Sequence, residues 1–339
     1  MTEPCLFAFE QIFAARLGDA MRANRLDAGT SLDENIVALA HHDYEALKKA
    51  LNSAARQMFK KTPVPYNRRG DAVALYGKFV LTQLRTPKDR LWFNDVIFRI
   101  AATDEILDPL RVFVSDKELS KLYARAVLGE ERTVPTLAVI ENPADVDACD
   151  FPETCVIKPT HGSRQIIVRK PGEHFDRQPI KDWFQYDYYR RSREANYRTL
   201  RPKVIVEPFL FEGRDLIDLN VFCVEGEPRM LRMTTGVFST IHQTCLSLDW
   251  RRLDIKRPDY ELHEAIPEPP PCLEEVKHVA SLLSARFNFI RIDFLVDGKD
   301  FYVGEITNLS GGAVGRYEGS GEREMSVQIF GPRALASSS

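Results

Sequence analysis

The chain has 339 residues, 28% of them charged, and a formal net charge of −3 at pH 7. That length accommodates about two or three domains around ordinary cores, and the slightly acidic balance argues against a protein that binds bulk polyanions. The sequence lacks an apolar run of the roughly 18 to 20 residues that a membrane span needs, and its first residues lack the basic segment typical of a secretory signal. We therefore expect a cytoplasmic protein without nucleic-acid or membrane partners.

The first hundred or so residues have the pattern of a helical region. Ser31 followed by Glu34 is a capping-box signature, and apolar residues then recur at a spacing near 3.6. The predicted helices are 31–59, 71–84 and 91–102. His41 and His42 are expected on a solvated helix face. The pattern indicates no chemistry here, so residues 1–110 are predicted to form a helical N-terminal region.

From about residue 111 the pattern changes to short strands and turns. The predicted strands are 154–159, 164–170 and 202–210, followed by a hairpin over 216–235 that turns at Glu225–Gly226 and a hairpin over 289–307 that turns near Asp297–Gly298. A proline-led helix is predicted over 269–287. Strands paired mostly in hairpins, with a helix between them, indicate the α+β class.

The cysteines give no sign of a metal site or a disulfide framework. They lie at positions 5, 149, 155, 223, 245 and 272, without a CxxC or other metal-type spacing. Two of them, Cys155 and Cys223, fall in strand-like runs, where a thiol behaves as a small apolar residue. Reduced and mostly buried thiols are expected.

Lys158 is the first candidate functional residue. It follows the apolar run Cys155–Ile157 directly, and a lysine is rarely buried without a partner. The loop after it contains Gly162, which lets a ligand approach the backbone, and Ser163, which with neighbouring N–H groups could hold phosphate oxygens. The alternative is an ordinary Gly-Ser loop between strands.

Two further clusters carry carboxylates. Glu207 stands at the end of a strand that Pro208 interrupts, although an ordinary edge strand has the same pattern. Asp293 and Glu305 flank the second hairpin, and an odd-length loop centred on Lys299 would place them directly opposite each other. Such a pair needs a cation, and hard oxygen ligands suit Mg²⁺. A two-residue turn would put the pair out of register, and two acids on a solvated face are the alternative.

The order of these clusters resembles that of the ATP-grasp ligases. The match covers residues 111 to about 325, and more narrowly it is similar to the TupA-like (teichuronopeptide biosynthesis) branch. The motifs that support the branch are SDKELSKLYAR, VIKPTHGS, EANYRTLRPKVIVEPFL, LSLDWRRLD and RIDFLVDGKDFYVGEIT. The resemblance implies an α+β ATP-grasp fold with two subdomains gripping ATP, over 111–205 and 206–330, after the helical region and before a tail over 331–339.

The resemblance also implies a role for individual residues. For ATP they are Lys117 and Lys158 on the phosphates, His161, Gly162 and Ser163 in the covering loop, Glu207, Phe209 and Leu210 in the adenine hinge, and Asp218 on the ribose. Asp293 and Glu305 would hold Mg²⁺, with Arg291 and Lys158 as the catalytic cations. The family usually has Glu-x-Asn at the last metal ligands, whereas this chain has Thr307 there and Asn308 one place later, so either could complete the site.

The implied activity is an ATP-dependent carboxylate–amine ligase that forms an acylphosphate and releases ADP. The substrates would be a small-molecule carboxylate and an amine, for example an amino acid joined to a sugar acid, a peptide or a natural-product scaffold. A phosphotransferase on the same fold and a non-catalytic nucleotide-binding scaffold are the alternatives, and we also consider a homodimer.

Some motifs remain without a firm role. Residues 183–203 are rich in aromatic and basic side chains, as in single-strand nucleic-acid surfaces, but the acidic chain favours a helix of the lid instead. The loop 309–315 fits a backbone loop near the acceptor. Arg232, Arg251 and Arg252 are candidate anion ligands, although a solvated arginine face is the simpler expectation for each.

Overall fold

The N-terminal region is helical, as predicted. In a computed structural model that describes residues 3–61, 63–130, 132–210, 216–236 and 240–336, its helices are α1 (Glu3–Ala23), α2 (Leu32–His42), α3 (Tyr44–Phe59), α4 (Arg68–Gln83) and α5 (Phe93–Ala102). The predicted capping box is confirmed, because Ser31 accepts from the Glu34 N–H and Glu34 accepts from the Ser31 N–H. The single helix predicted over 31–59 is wrong, since Asp43 is extended and caps α3.

The helical region continues past the point where strands were expected. Beyond a 3-10 helix (Asp104–Leu107) lie α6 (Pro109–Ser115) and α7 (Lys117–Leu128). Asp108 and Asp116 cap the two helices, with Pro109 at the first helical position of α6. The change of pattern at residue 111 was therefore placed too early.

A small antiparallel sheet follows. Its strands are β1 (Ala138–Ile140), β2 (Cys155–Pro159), β3 (Ile167–Arg169) and β4 (Val204–Pro208), in the order β1-β4-β2-β3. One face of this sheet is apolar and packs with Val146, Phe151, Ile180 and Trp183. The helices associated with it are α8 (Gln178–Trp183), α9 (Tyr188–Ser192) and the 3-10 helices Pro143–Val146 and Ala195–Tyr197.

The segment 183–203 is not the continuous helix that was predicted. It contains α9 and one 3-10 turn, and then runs without regular structure into β4. Its aromatic rings face the protein: Tyr189 is 5% exposed and donates to both oxygens of Asp71 at 3.1 and 3.0 Å. A base-stacking surface would present such rings to solvent.

A second antiparallel sheet has the order β7-β6-β5-β8-β9. Its strands are β5 (Ile217–Val224), β6 (Glu227–Thr235), β7 (His242–Leu246), β8 (Ile290–Asp297) and β9 (Asp300–Thr307). The predicted turn at Glu225–Gly226 is confirmed, because Val224 pairs with Glu227. The predicted helix is α10 (Leu273–Ser284), and the chain continues through a 3-10 helix (Ser310–Ala313), α11 (Gly321–Phe330) and α12 (Arg333–Ala336). Residues 337–339 of the expected tail lie outside the described ranges.

The five-stranded sheet separates two cores. One face buries Leu219, Val221, Leu231, Ile292 and Phe294 against Val276, Val279 and Leu283 of α10. On the other face, Phe222 and Met230 join the core of the helical region, where Phe93 meets Phe222 and Phe289 at ring-centroid distances of 5.9 and 5.8 Å. The helical region therefore packs directly against this face of the sheet and shares a core with it.

All six cysteines are free thiols, and Cys149 alone among them is not fully buried. The expectation of reduced, mostly buried thiols is confirmed. Among the described helices, none is long and apolar enough to cross a bilayer.

Candidate functional site

A band of polar side chains crosses the five-stranded sheet on the face opposite α10. Because side chains alternate along a strand, each strand contributes every second residue to this band. The residues are Gln243 from β7, Arg232 and Thr234 from β6, Asp218 and Asn220 from β5, Arg291 and Asp293 from β8, and Glu305 and Thr307 from β9. The cross-strand pairs Asn220–Asp293, Asp293–Glu305 and Arg291–Thr307 hold these groups together.

The pairing of Asp293 with Glu305 depends on a β-bulge. The hairpin turns in two residues, between Asp297 and Asp300, so the odd-length loop predicted for it is wrong. The register shifts after Asp293, because Phe294 pairs with Val303 and Asp293 pairs with Glu305, which leaves Gly304 unpaired. The two carboxylates are therefore opposite each other, as predicted, through the bulge and not through the turn.

Cations surround both carboxylates. Arg291 donates from Nε and Nη2 to the two oxygens of Asp293, each at 2.6 Å, and Thr307 donates to Asp293 at 3.1 Å. The Lys117 ammonium lies 3.3 Å from Glu305. Burial alone would raise the pKa of Glu305, but Lys117, Arg291 and Lys158 hold it below its ordinary value. These side-chain cations partly neutralise the carboxylate pair.

Lys158 and Glu207 lie on the polar face of the small sheet. Ile157 and Val206 point into its core, so their neighbours Lys158 and Glu207 point the opposite way. The Lys158 ammonium lies 2.7 Å from Glu207, which is 3% exposed, and Lys121 from α7 reaches the other oxygen at 2.5 Å. A buried carboxylate with two ammonium partners leaves a net positive charge at this position.

The two polar sheet faces enclose a cavity of about 240 Å³, called here the small cavity. Its apolar lining comes from both sheets and from the chain after β4: Val134, Val156, Ile166, Pro208, Phe209, Leu210, Leu216 and Leu295. Its charged lining is Lys158, Glu207, Asp218, Asp293 and Glu305. It is therefore a pocket with mainly apolar walls and a smaller set of charged residues, as expected of a site for a flat, uncharged ring.

A second cavity of about 730 Å³, the large cavity, shares Asp218 and Glu305 with the first. Its cationic lining is Lys78, Arg164, Arg191, Arg232, Arg257 and Arg291, against the acids Glu194, Asp218 and Glu305. Ser163 and the backbone of Gly311 and Gly312 also line it. Because cations outnumber acids, this cavity is suited to anionic ligands.

Two acids of the large cavity are held partly protonated near neutral pH. Burial and the nearby Asp293 raise the pKa of Asp218 to about 6. Burial raises the pKa of Glu194 to about 7, although Lys78 and a 3.3 Å hydrogen bond from Tyr188 oppose the shift. Groups with such pKa values in a cavity are candidates for proton transfer.

The loop over 160–163 lies against α7. Lys117 donates to the Gly162 carbonyl at 2.5 Å and Thr160 donates to Asp116 at 2.9 Å. His161 is 4% exposed, bonds the Trp183 carbonyl at 3.1 Å, and lines neither cavity. Its ring anchors the loop, so the structure gives no support for its predicted contact with ATP.

The Asn308 side chain forms hydrogen bonds with α6 and not with the carboxylate pair. Its amide oxygen accepts from Arg111 at 3.0 Å, and its amide nitrogen donates to the Arg111 carbonyl at 2.9 Å and to Ser115 at 3.1 Å. Thr307, by contrast, lies beside Asp293. Of the two alternatives for the last ligand, the structure places only the Thr307 side chain near the carboxylate pair.

Sequence reasoning missed several residues of the site. Lys121 pairs with Glu207 and stands in the SDKELSKLYAR motif, which was used for the family resemblance without a role for this lysine, and Lys78 belongs to the helical region that was given no chemistry. Glu194 stands in the EANYR motif, a signal that was used only for the family resemblance. Arg232 is 8% exposed, so the solvated face expected for it is wrong, whereas Arg251 and Arg252 are exposed as expected.

A preformed metal cluster is absent from the described residues, because no three or more His, Cys, Asp or Glu side chains are grouped to hold an ion. Even so, the donors around Asp293 are of the right chemistry for Mg²⁺, which prefers carboxylate and hydroxyl oxygens. The raised pKa of Asp218 beside Asp293 indicates that further positive charge would be stabilised there.

Comparison with known proteins identifies the family of the chain. A model of the family described as TupA-like ATPgrasp matches residues 102–323. No curated protein sequence matches the chain.

Among solved structures, D-alanine–D-alanine ligase from Helicobacter pylori is similar at 17% identity over 66% of this chain and 60% of the ligase, with a TM-score of 0.35. The D-alanine–D-alanine ligase from Bacillus anthracis complexed with ATP matches at 16% identity over 58% of this chain and 54% of the ligase, with a TM-score of 0.31. L-amino acid ligase from Bacillus licheniformis matches at 13% identity over 81% and 57%, with a TM-score of 0.36. The chain thus spans less than two thirds of each of these ligases. Because the family model covers more than half of the chain, the protein belongs to the TupA-like ATP-grasp family.

Proposed function

We propose that the protein is an ATP-dependent carboxylate–amine ligase that works through an acylphosphate. The observation that carries this proposal is the junction of an apolar cavity and a cationic cavity at Asp218 and Glu305. A nucleotide has an apolar ring and an anionic tail, and a substrate waiting to react with that tail needs space beyond it. The two joined cavities match both requirements.

The small cavity is the proposed adenine site. Its apolar walls suit a purine, and the chain from Glu207 to Leu210 lines it directly after the strand that Pro208 ends. The phosphates would then lie near Lys158 and Ser163, which line the two cavities, and near Lys117, which meets Glu305 between them, with Asp218 at the junction reaching the ribose. Each of these positions repeats what the family resemblance implies for the residue, whereas His161 and Gly162, which line neither cavity, are given no contact with ATP.

The donors around the carboxylate pair would hold Mg²⁺ through Asp293, Glu305 and Thr307. When bound, the ion would neutralise charge on the phosphate oxygens. Arg291 donates to both oxygens of Asp293. With Mg²⁺ bound, the arginine and the ion would therefore both contact this carboxylate. The contact with Asp293 holds Arg291 in the lining of the large cavity, where the substrate carboxylate is expected.

The chemistry asks the protein mainly to position anions and to neutralise them. An oxygen of the substrate carboxylate attacks the γ-phosphorus of ATP and the bond from that phosphorus to the bridging oxygen of ADP breaks. The amine nitrogen then attacks the acyl carbon, the bond from this carbon to the phosphate oxygen breaks, and free phosphate leaves. Lys158 and Arg291 stabilise the negative charge that develops in the two steps.

Glu194 is the proposed acceptor of the proton that the attacking amine loses. It lines the large cavity, its pKa is about 7, and Tyr188 donates to it. A base with a pKa near the working pH transfers protons efficiently. Lys78, from the helical region outside the family match, acts on the same carboxylate and lowers its pKa.

The test is a substrate screen with ATP and Mg²⁺. Pools of amino acids, small peptides and sugar acids are added, and ADP and free phosphate are measured together. Lys158→Met removes the phosphate cation, and Lys170→Met, which changes an exposed lysine just beyond β3, is the matched control. Pool-dependent release of both products by the wild type and the control, but not by Lys158→Met, is expected.

Two other results would point elsewhere. ADP and a phosphorylated compound without free phosphate would indicate a phosphotransferase. Stabilisation by ATP without ADP from any pool would indicate a nucleotide-binding scaffold and contradict the proposed turnover.

A further inference from the structure

Two arginines of the large cavity, Arg232 and Arg257, have no role in the binding of ATP proposed above. They line the large cavity and not the small one. Arg232 comes from β6 and Arg257 from the segment after β7. Arg291, Arg232 and Arg257 lie close enough together that both neighbours lower the pKa of Arg232.

Arg232 is a buried cation that lacks a carboxylate partner among the described residues. It is 8% exposed, and its Nε and Nη2 donate to the Asn220 amide oxygen at 2.9 and 2.6 Å. Burial lowers its pKa to about 10. Keeping a charge in such a place is costly unless an anion meets it.

Arg257 is only weakly compensated. Its Nη1 donates to Gln243 at 3.4 Å, and its Nη2 lies 3.9 Å from Asp259, whose side chain is 58% exposed. Its Nε is buried without a hydrogen-bond partner among the described residues. The guanidinium also lies 4.8 Å from the ring centre of Tyr260, which holds its plane in place.

Neutral donors complete this end of the cavity. Thr234, Gln243 and Tyr260 line the same cavity, and the Gln243 amide donates to Thr234 at 3.2 Å. The nearby acid Asp218 is linked to Arg232 through Asn220: the Asn220 amide nitrogen donates to Asp218 at 2.7 Å, and its amide oxygen accepts from Arg232. Two forked cations and neutral donors form the kind of site that binds a planar anion by paired hydrogen bonds.

We propose that Arg232 and Arg257 bind a substrate carboxylate that is not the one activated by ATP. This inference rests on the proposed ligase function and names its substrate class. The carboxylate comes from the acceptor, if that is an amino acid or peptide joined through its amine, or from a donor with two carboxylates. In both cases the arginines hold the second carboxylate away from the phosphates and leave the reacting group near Arg291.

The test measures binding apart from turnover. The full chain with Mg²⁺ and the non-hydrolysable nucleotide AMPPNP is titrated with free amino acids, their α-carboxamides, and the dicarboxylates succinate and glutarate with their monoamides. Saturation-transfer NMR and thermal shift report binding. The variants are Arg257→Gln on a surface segment and Arg232→Lys, which keeps the buried charge but not the fork, with the exposed Arg251→Gln as matched control.

At least one free acid is expected to bind the wild type about tenfold or more tightly than its amide. Arg257→Gln should lose that preference, Arg232→Lys should weaken it, and Arg251→Gln should keep it. An acceptor site favours amino acids, whereas a donor site favours the dicarboxylates. Equal binding of acid and amide, no binding of any acid, or an unchanged Arg257→Gln variant would overturn the proposal. If an acid binds in this assay but the substrate screen with ATP yields no ADP, the ligase function would be contradicted while the proposed carboxylate site would stand.

Discussion

Asp293 and Glu305 face each other across β8 and β9 because one residue, Gly304, is left out of the pairing. If Gly304 took part in the pairing, Glu305 would fall on the side of Val303, which lies in the core beneath α10. The bulge therefore turns a carboxylate from the core to the cavity, where Lys117 meets it.

Insertion of one glycine after Gly304 is expected to abolish binding of ATP and to lower the melting temperature, because beyond a one-residue bulge Glu305 would then point to the apolar core. Gly304→Ala is the matched control. An added Cβ there would meet the Asp293 carbonyl at 3.4 Å and the Leu295 Cγ at 3.6 Å, so the change should cost less than about 1 kcal/mol. The thermal shift with and without Mg-ATP measures both effects, and an insertion variant that still binds ATP would refute this role of the bulge.

The Lys158 ammonium is expected to be needed for turnover more than for folding. Lys158→Met leaves Glu207 paired with Lys121, so the melting temperature should change little. The rate of ADP release should fall by about a hundredfold or more, as for loss of a cation that stabilises transferring phosphate. A variant with wild-type turnover would contradict the assignment.

Glu194 should set the pH dependence of the rate. Only its ionised form accepts a proton, so with a pKa of about 7 the rate should rise as the pH increases through about 7. Glu194→Gln should lower the rate by about 10² to 10⁴ and remove this limb of the profile. Glu194→Gln with the wild-type pH profile would show that another group takes the proton.

The same carboxyl has a predictable effect on stability. Its folded pKa lies above its ordinary value, so the folded state holds the proton more tightly than the unfolded state. The protein should therefore lose stability as the pH rises from about 4.5 to about 7, and Glu194→Gln should reduce that loss. Denaturant unfolding at several pH values, with the exposed Glu225→Gln as control, measures the difference.

Thr307 and Asn308 should be separable by experiment. Thr307→Val is expected to raise the Mg²⁺ concentration needed for half-maximal turnover, because it removes a hydroxyl beside Asp293. Asn308→Ala should instead destabilise the fold by about 1 to 3 kcal/mol, because it removes buried hydrogen bonds that its amide makes with Arg111. The opposite pattern would make Asn308 the metal ligand.

Asp71 should hold the helical region against the rest of the protein. It is fully buried, accepts from Tyr189 at 3.1 and 3.0 Å, and lies 3.3 Å from Arg193. Asp71→Asn keeps one acceptor but leaves the arginine charge uncompensated, so a loss of about 1 to 3 kcal/mol is expected. Denaturant unfolding compared with the exposed Asp187→Asn checks this, and equal stabilities would contradict it.

The sequence was informative where chemistry and strand pattern coincide. Lys158, Glu207, Asp293 and Glu305 were found from their positions at strand ends and in a hairpin, and the structure brings all four to the small cavity. The capping box at Ser31 was found because its hydrogen bonds are local.

What the sequence could not give depends on distant contacts. The bulge at Gly304 looks like any glycine in a strand, and its consequence appears only when β9 pairs with β8. The charge of Arg232 gave no sign of its burial, and Lys78 entered the site because α4 lies beside the loop at Gly315, far along the chain.

The central claim is that ATP activates a carboxylate, and an oxygen-isotope transfer tests it most directly. Amino acids labelled with ¹⁸O in the carboxylate are supplied as a pool with ATP and Mg²⁺, and the released phosphate is analysed by mass spectrometry. If an acylphosphate forms and an amine displaces phosphate, each phosphate carries one ¹⁸O and equals the ADP in amount. Unlabelled phosphate from an active enzyme, or ADP with the label retained in a phosphorylated product, would contradict the ligase mechanism.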